Sequence, residues 1–172
     1  MRWRNEALAE AGGLEEQGRL EGLAAEDARF MRLALEAAAE AASLGEVPVG
    51  AVVVLAGEVL SRAHNQPRRL CDPTAHAEVL ALREAARCAA NYRLPGAVLY
   101  VTLEPCAMCM GAMLQARIAR LVYGAPDLKA GAARSLYRLA EDARLNHRFE
   151  VTGGVLAGEA AALLRVFFEG RR

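Results

Sequence analysis

The residues predict an α/β fold in three layers, with helices on both faces of a mixed five-stranded sheet. Three observations carry that prediction. A continuous run rich in β-branched residues at 49–55 and a second strand candidate at 59–63 flank Ala56-Gly57, a tight-turn pair that makes them an antiparallel hairpin. Three further short strand candidates, at 97–102, 118–123 and 149–152, alternate with stretches of helical composition, and strands separated by helices imply parallel crossovers. The chain of 172 residues suits one domain and one core.

In chain order, residues 1–26 carry six glutamates among glycines and read as a flexible or loosely helical extension, ahead of a domain over residues 27–172. Met31, Leu35, Ala38 and Ala42 recur at helical spacing across residues 28–44, and Gly45 is placed to stop that helix. After the hairpin, His64-Asn65-Gln66-Pro67 opens a loop into a helix over about 76–90, which Asp72 or Thr74 can cap and for which Pro73 suits the first position. The strand at 97–102 runs into Pro105 and a helix from Cys106 to Ala116. The strand at 118–123, a Gly/Ala-rich loop at 124–133, a short helix at 135–143, a last strand at 149–152 and a helix at 159–168 complete the chain.

Composition narrows the function classes. The chain is 54% apolar and 24% charged, as ordered globular proteins are. No apolar run reaches the roughly 18 residues of a membrane helix, and the acidic first 26 residues do not read as a secretory or transit signal. A cytoplasmic protein with no membrane partner follows. The net charge is zero, so a nucleic-acid partner would need local patches, and no DNA partner is expected. Lys129 is the only lysine, and the arginines cluster at 62, 68 and 69, at 144 and 148, and at 165, 171 and 172. Most such runs are solvated faces; Arg148, Arg171 and Arg172 are the phosphate candidates.

The chemistry concentrates in two short stretches. Thr102-Leu103-Glu104-Pro105-Cys106-Ala107-Met108-Cys109 sets two cysteines at metal-ligand spacing in the first turn of a helix, where backbone N–H groups and the helix dipole favour thiolates. Asp72-Pro73-Thr74-Ala75-His76-Ala77-Glu78 supplies a histidine and a carboxylate at the start of another helix. One nitrogen and two sulfurs from His76, Cys106 and Cys109 suit Zn²⁺ and leave a fourth tetrahedral position open. Glu78 can then move protons beside that position. Cys71 and Cys88 read as free thiols, His64 and His147 as loop residues that bind no metal, and Met108, Met110 and Met113 as core filling.

His76-Ala77-Glu78 with Pro105-Cys106-Ala107-Met108-Cys109 resembles the zinc-dependent nucleobase deaminase signature. The resemblance extends through Glu46-Val47-Pro48-Val49-Gly50-Ala51-Val52, Asn91-Tyr92-Arg93-Leu94, Arg117-Ile118, Asn146-His147-Arg148 and Leu163-Leu164, and these together resemble the bacterial tRNA-specific adenosine deaminases from about Asp27 to the carboxyl end. It implies a cytidine-deaminase-like fold, a homodimer with one zinc per subunit, and conversion of adenosine to inosine at the wobble position of an arginine tRNA with an ACG anticodon. It implies zinc on His76, Cys106 and Cys109, proton transfer by Glu78, and contacts to the tRNA anticodon stem-loop from a pocket containing Asn65, Val49, Asn146 and Asp127. Ala130, Arg134 and Cys71 depart from the family pattern, and residues 1–26 have no counterpart in it.

Two other readings stay open on the residues. A small-molecule deaminase of guanine or cytosine type shares the zinc chemistry but not the RNA. A non-enzymatic module with a closed structural zinc would recruit Cys71 or Cys88 as fourth ligand.

Overall fold

The computed structural model describes residues 2–170, with side chains described for Gln17 and from Leu20 to Gly170. Arg171 and Arg172, two of the phosphate candidates, lie outside the described residues. The order is α1 (Arg2–Ser43), β1 (Gly50–Leu55), β2 (Glu58–His64), α2 (Pro67–Leu70), α3 (Ala77–Cys88), β3 (Val98–Leu103), α4 (Ala107–Ala116), β4 (Arg120–Ala125), β5 (Glu150–Gly153) and α5 (Ala157–Glu169).

The five strands form one sheet in the order β2-β1-β3-β4-β5. The β1–β2 hairpin turns through Ala56 and Gly57, both at positive φ, as a two-residue hairpin turn requires. β1 is antiparallel to β3, while β3–β4 and β4–β5 are parallel. Because β1 opposes both neighbours, β2 and β3 run the same way, and α3 is the crossover between them with β1 inserted in the gap. The expected mixed sheet is therefore present, as are helices on both faces.

Central strands buried on both faces show no alternation of polarity, only of the face each residue serves. Ala51, Val53, Leu99, Val101 and Leu121 pack under α3 and α4, whereas Val52, Val54, Tyr100 and Val122 pack against Phe30, Met31, Ala34 and Leu35 of α1. The stripe on α1 includes Ala38 and Ala41, with Ala42 turned half out, and Gly45 at φ 78° ends the run as expected. Of the three methionines of α4, Met110 and Met113 fill the core and Met108 is exposed.

Four details differ from the sequence reading. α2 is an extra single turn in the expected loop. α3 starts at Ala77 with His76 at its N-cap; Asp72 caps no helix and instead accepts hydrogen bonds from the Thr74 N–H and hydroxyl, both 2.7 Å, in a turn ahead of it. No helix forms over 135–143. The Arg134 and Ser135 amides donate to the Glu104 carboxylate, and Leu136 and Leu139 donate to Gly131 and Ala132, spacings no α-helix uses. The backbone of residues 2–26, expected to be flexible or loosely helical, continues α1.

Candidate active site

β3 ends at Leu103, and the chain turns through Glu104-Pro105 into α4, where Cys106 is the N-cap and Cys109 lies one turn in. His76 caps α3, and Glu78 is that helix's second residue. Two helix starts thus converge beside the carboxyl end of a central strand, the region where open α/β sheets place their ligands.

The three donors form a nearly equilateral triangle. Cys106 Sγ to Cys109 Sγ is 3.7 Å, and His76 Nδ1 lies 3.5 Å from Cys109 Sγ and 3.8 Å from Cys106 Sγ. Tetrahedral bonds of zinc length would set sulfurs about 3.8 Å apart and nitrogen about 3.6 Å from each sulfur. The triangle fits zinc, and among the described residues this is the one His/Cys/carboxylate cluster that could hold a metal. Cys71 and Cys88 are exposed and take no part, so nothing closes the fourth position in the way a structural zinc requires.

Electrostatics separate the groups. Hydrogen bonds from Cys109 and then His76 hold the Cys106 thiol down at about 3, while the bond to Cys106 and burial push the Cys109 thiol far up. The bond to Cys106 raises His76. Glu78 is 3% exposed, and burial raises its pKa, which suits a group that must hold a proton.

A cavity of about 260 Å³ opens onto this cluster, lined by Val49, Asn65, His76, Glu78, Cys106 and Asp127 among others. Asn65 Oδ1 accepts the Ala77 N–H at 2.8 Å, supplying the cap that Asp72 and Thr74 do not. That bond fixes the amide so that Nδ2 is the donor left for a ligand. Asp127 Oδ1 accepts the Lys129 and Ala130 amides at 2.9 and 3.1 Å, a tight turn that carries Ala130 into the wall.

Asn146 is the one sequence candidate not brought to this cavity. It is exposed, and its carbonyl accepts a hydrogen bond from Arg117 at the other end of α4, about 15 Å along that helix from the cysteines. Of the other histidines, His64 faces the Asn65 carbonyl at 2.9 Å and His147 donates to Ile118 O at 2.8 Å; neither joins the metal cluster. Sequence reasoning gave no role to Glu104, Pro67 or Leu103, which also line the cavity. For Glu104 a signal existed, a carboxylate between an apolar strand and a proline.

Residues 24–125 match the family model of the cytidine and deoxycytidylate deaminase zinc-binding region, which contains the triangle and Glu78. The chain belongs to the zinc-dependent cytidine and deoxycytidylate deaminase family. Within it, this deaminase is 51% identical to the tRNA-specific adenosine deaminase of Haemophilus influenzae, over 85% of each chain. A solved structure from a study of A-to-I editing by tRNA:A34 deaminases at the wobble position is 48% identical, with a TM-score of 0.77, and covers 79% of this deaminase and 99% of that chain. The guanine deaminase of Bacillus subtilis is 38% identical with a TM-score of 0.56, over 57% of this deaminase and 63% of that chain. No described helix is long and apolar enough to cross a membrane.

Proposed function

We propose that the protein deaminates adenosine to inosine at the wobble position of an arginine tRNA with an ACG anticodon, as a cytoplasmic homodimer with one zinc per subunit. The observation that carries the reading is the open His76–Cys106–Cys109 triangle with buried Glu78 beside it, both lining a cavity of about 260 Å³ that can admit a flipped base. Similarity to proteins named for tRNA adenosine deamination supports the substrate.

His76, Cys106 and Cys109 hold the metal, which when bound supplies a redox-inert Lewis acid beside Glu78. Glu78 takes a proton from the attacking water and delivers it to N1 of the adenine while oxygen bonds to C6. It then passes a second proton to the exocyclic amine, which leaves as ammonia, so that water and adenosine give inosine and ammonia. Asn65 Nδ2 donates to the seated base, Val49 packs on it, and Asp127 lies at the wall facing the flipped nucleotide.

The test is incubation of zinc-loaded protein with that tRNA, and separately with free adenosine, cytidine and guanine, scored by mass spectrometry. Inosine confined to the wobble position is expected. Turnover of a small base with unchanged tRNA would instead favour a small-molecule deaminase, the activity of the guanine deaminase among the structural relatives. Glu78→Gln should keep its zinc and lose about 10³-fold in turnover, within the range general acid–base catalysis supplies.

A further inference from the structure

Glu104 is a buried carboxylate, 2% exposed, that the proton-transfer scheme does not use. Its oxygens receive four donors, two each. Oε1 accepts the Arg134 N–H at 2.7 Å and the Ser135 N–H at 2.8 Å. Oε2 accepts the Asp127 N–H at 3.0 Å and the Ser135 hydroxyl. A carboxylate has about four lone-pair sites, so none remains for water or substrate. The donors come from both ends of the loop over residues 126–135, whose Asp127 and Ala130 line the cavity. Gly131, in the middle of that loop, passes so close that a Cβ there would collide with Glu104 Cδ. The Ala132 N–H donates to Pro105 O at 2.8 Å, tying the same loop to the next residue of the Glu104 strand end.

We propose that Glu104 is a positioning residue that clasps the 126–135 loop shut and thereby sets the wall against which the nucleotide is bound. It acts through Asp127 and Ala130 and touches neither the base nor the attacking water. Its place two residues before Cys106 links the substrate wall to the start of α4 through one rigid turn. The inference rests on the proposed RNA substrate only for its kinetic arm.

The variant is Glu104→Gln, which keeps the shape but presents an NH₂ to one pair of donors whichever way the amide lies. With anticodon stem-loop RNA, KM should rise about tenfold, the scale of one lost charge-assisted hydrogen bond, with the rate at saturating substrate falling far less and zinc content equal to wild type. Hydrogen exchange at the Asp127, Arg134 and Ser135 amides should accelerate, while the β1 and β3 amides keep their protection. Wild-type KM together with wild-type exchange in the loop would overturn the proposal, as would loss of zinc with KM unchanged. If Glu104→Gln does not fold, Ser135→Ala removes one donor and leaves the carboxylate; it should shift KM in the same direction by less, and no shift overturns the clasp. If the wild-type protein does not act on the stem-loop, the substrate reading fails, and the exchange arm alone decides the role of Glu104.

Discussion

Replacing Asp27 with asparagine should lower the melting temperature by about 6–12 °C without altering the chemistry. Asp27 is 3% exposed and accepts both guanidinium nitrogens of Arg120, at 2.8 and 2.6 Å, and the Tyr100 hydroxyl at 3.0 Å. The Arg120 side chain is 12% exposed, so losing its anion leaves a charge largely out of water. Removing one partner of a buried pair costs about 3–5 kcal/mol. The lower end applies, because Arg120 keeps its bond to Thr152 Oγ1 at 2.8 Å and an asparagine oxygen still accepts from Tyr100. At about 2–4 °C per kcal/mol for a chain of this size, about 3 kcal/mol gives the stated fall. The assay is calorimetric unfolding at fixed free zinc, with turnover measured at 25 °C. Turnover per zinc should hold, because the pair ties α1 to the sheet face opposite the metal cluster. Asp27→Leu combined with Arg120→Met, which leaves no buried charge, should recover most of the loss. A fall of under about 2 °C in Asp27→Asn would refute the reasoning that this pair holds α1 in place.

Three further outcomes follow from the same structure. Deleting residues 1–24 keeps Asp27 and every residue of α1 that is buried among the described side chains, so the melting temperature should stay within about 2 °C and turnover should be unchanged; a larger loss would show that the domain begins earlier. Burial first, and the Asp27 carboxylate second, raise the Tyr100 pKa above its ordinary 10.0. The neutral hydroxyl is thus favoured in the folded state, so its contribution is complete below pH 10.0 and is lost as pH rises toward the folded value; Tyr100→Phe should flatten the alkaline fall of melting temperature, and an unchanged slope would exclude this source. Chelation should abolish turnover and lower the melting temperature reversibly, since free zinc at a hundred times its dissociation constant stabilises by about 2.7 kcal/mol; Cys106→Ser should resemble the chelated protein, and full stability without metal would refute the coupling.

The candidate metal-binding cluster was legible in the sequence because its residues are local. Cys106 and Cys109 are one helical turn apart, His76 and Glu78 are two residues apart, and each pair sits at a helix start whose chemistry favours such groups. The hairpin was legible for the same kind of reason, as a β-branched run followed by a turn pair and a second strand. What brings His76 within 4 Å of two sulfurs thirty residues away is the crossover of α3 over β1, a tertiary fact.

The residues misread are those whose partners lie far along the chain. Asp72 looked like the cap of α3, but Asn65, twelve residues before Ala77 and at the end of another strand, takes that bond. Residues 135–143 have helical composition, yet their amides are captured by Glu104 and by loop carbonyls. Asn146, a pocket residue only by resemblance, lies in this chain where its carbonyl accepts from Arg117. Local chemistry fixed which groups could bind metal and move protons. Only the folded chain decided which buried carboxylate braces α1, which clasps the substrate loop and which faces the cavity, because burial and long-range hydrogen bonds assign those roles and neither is written in local spacing.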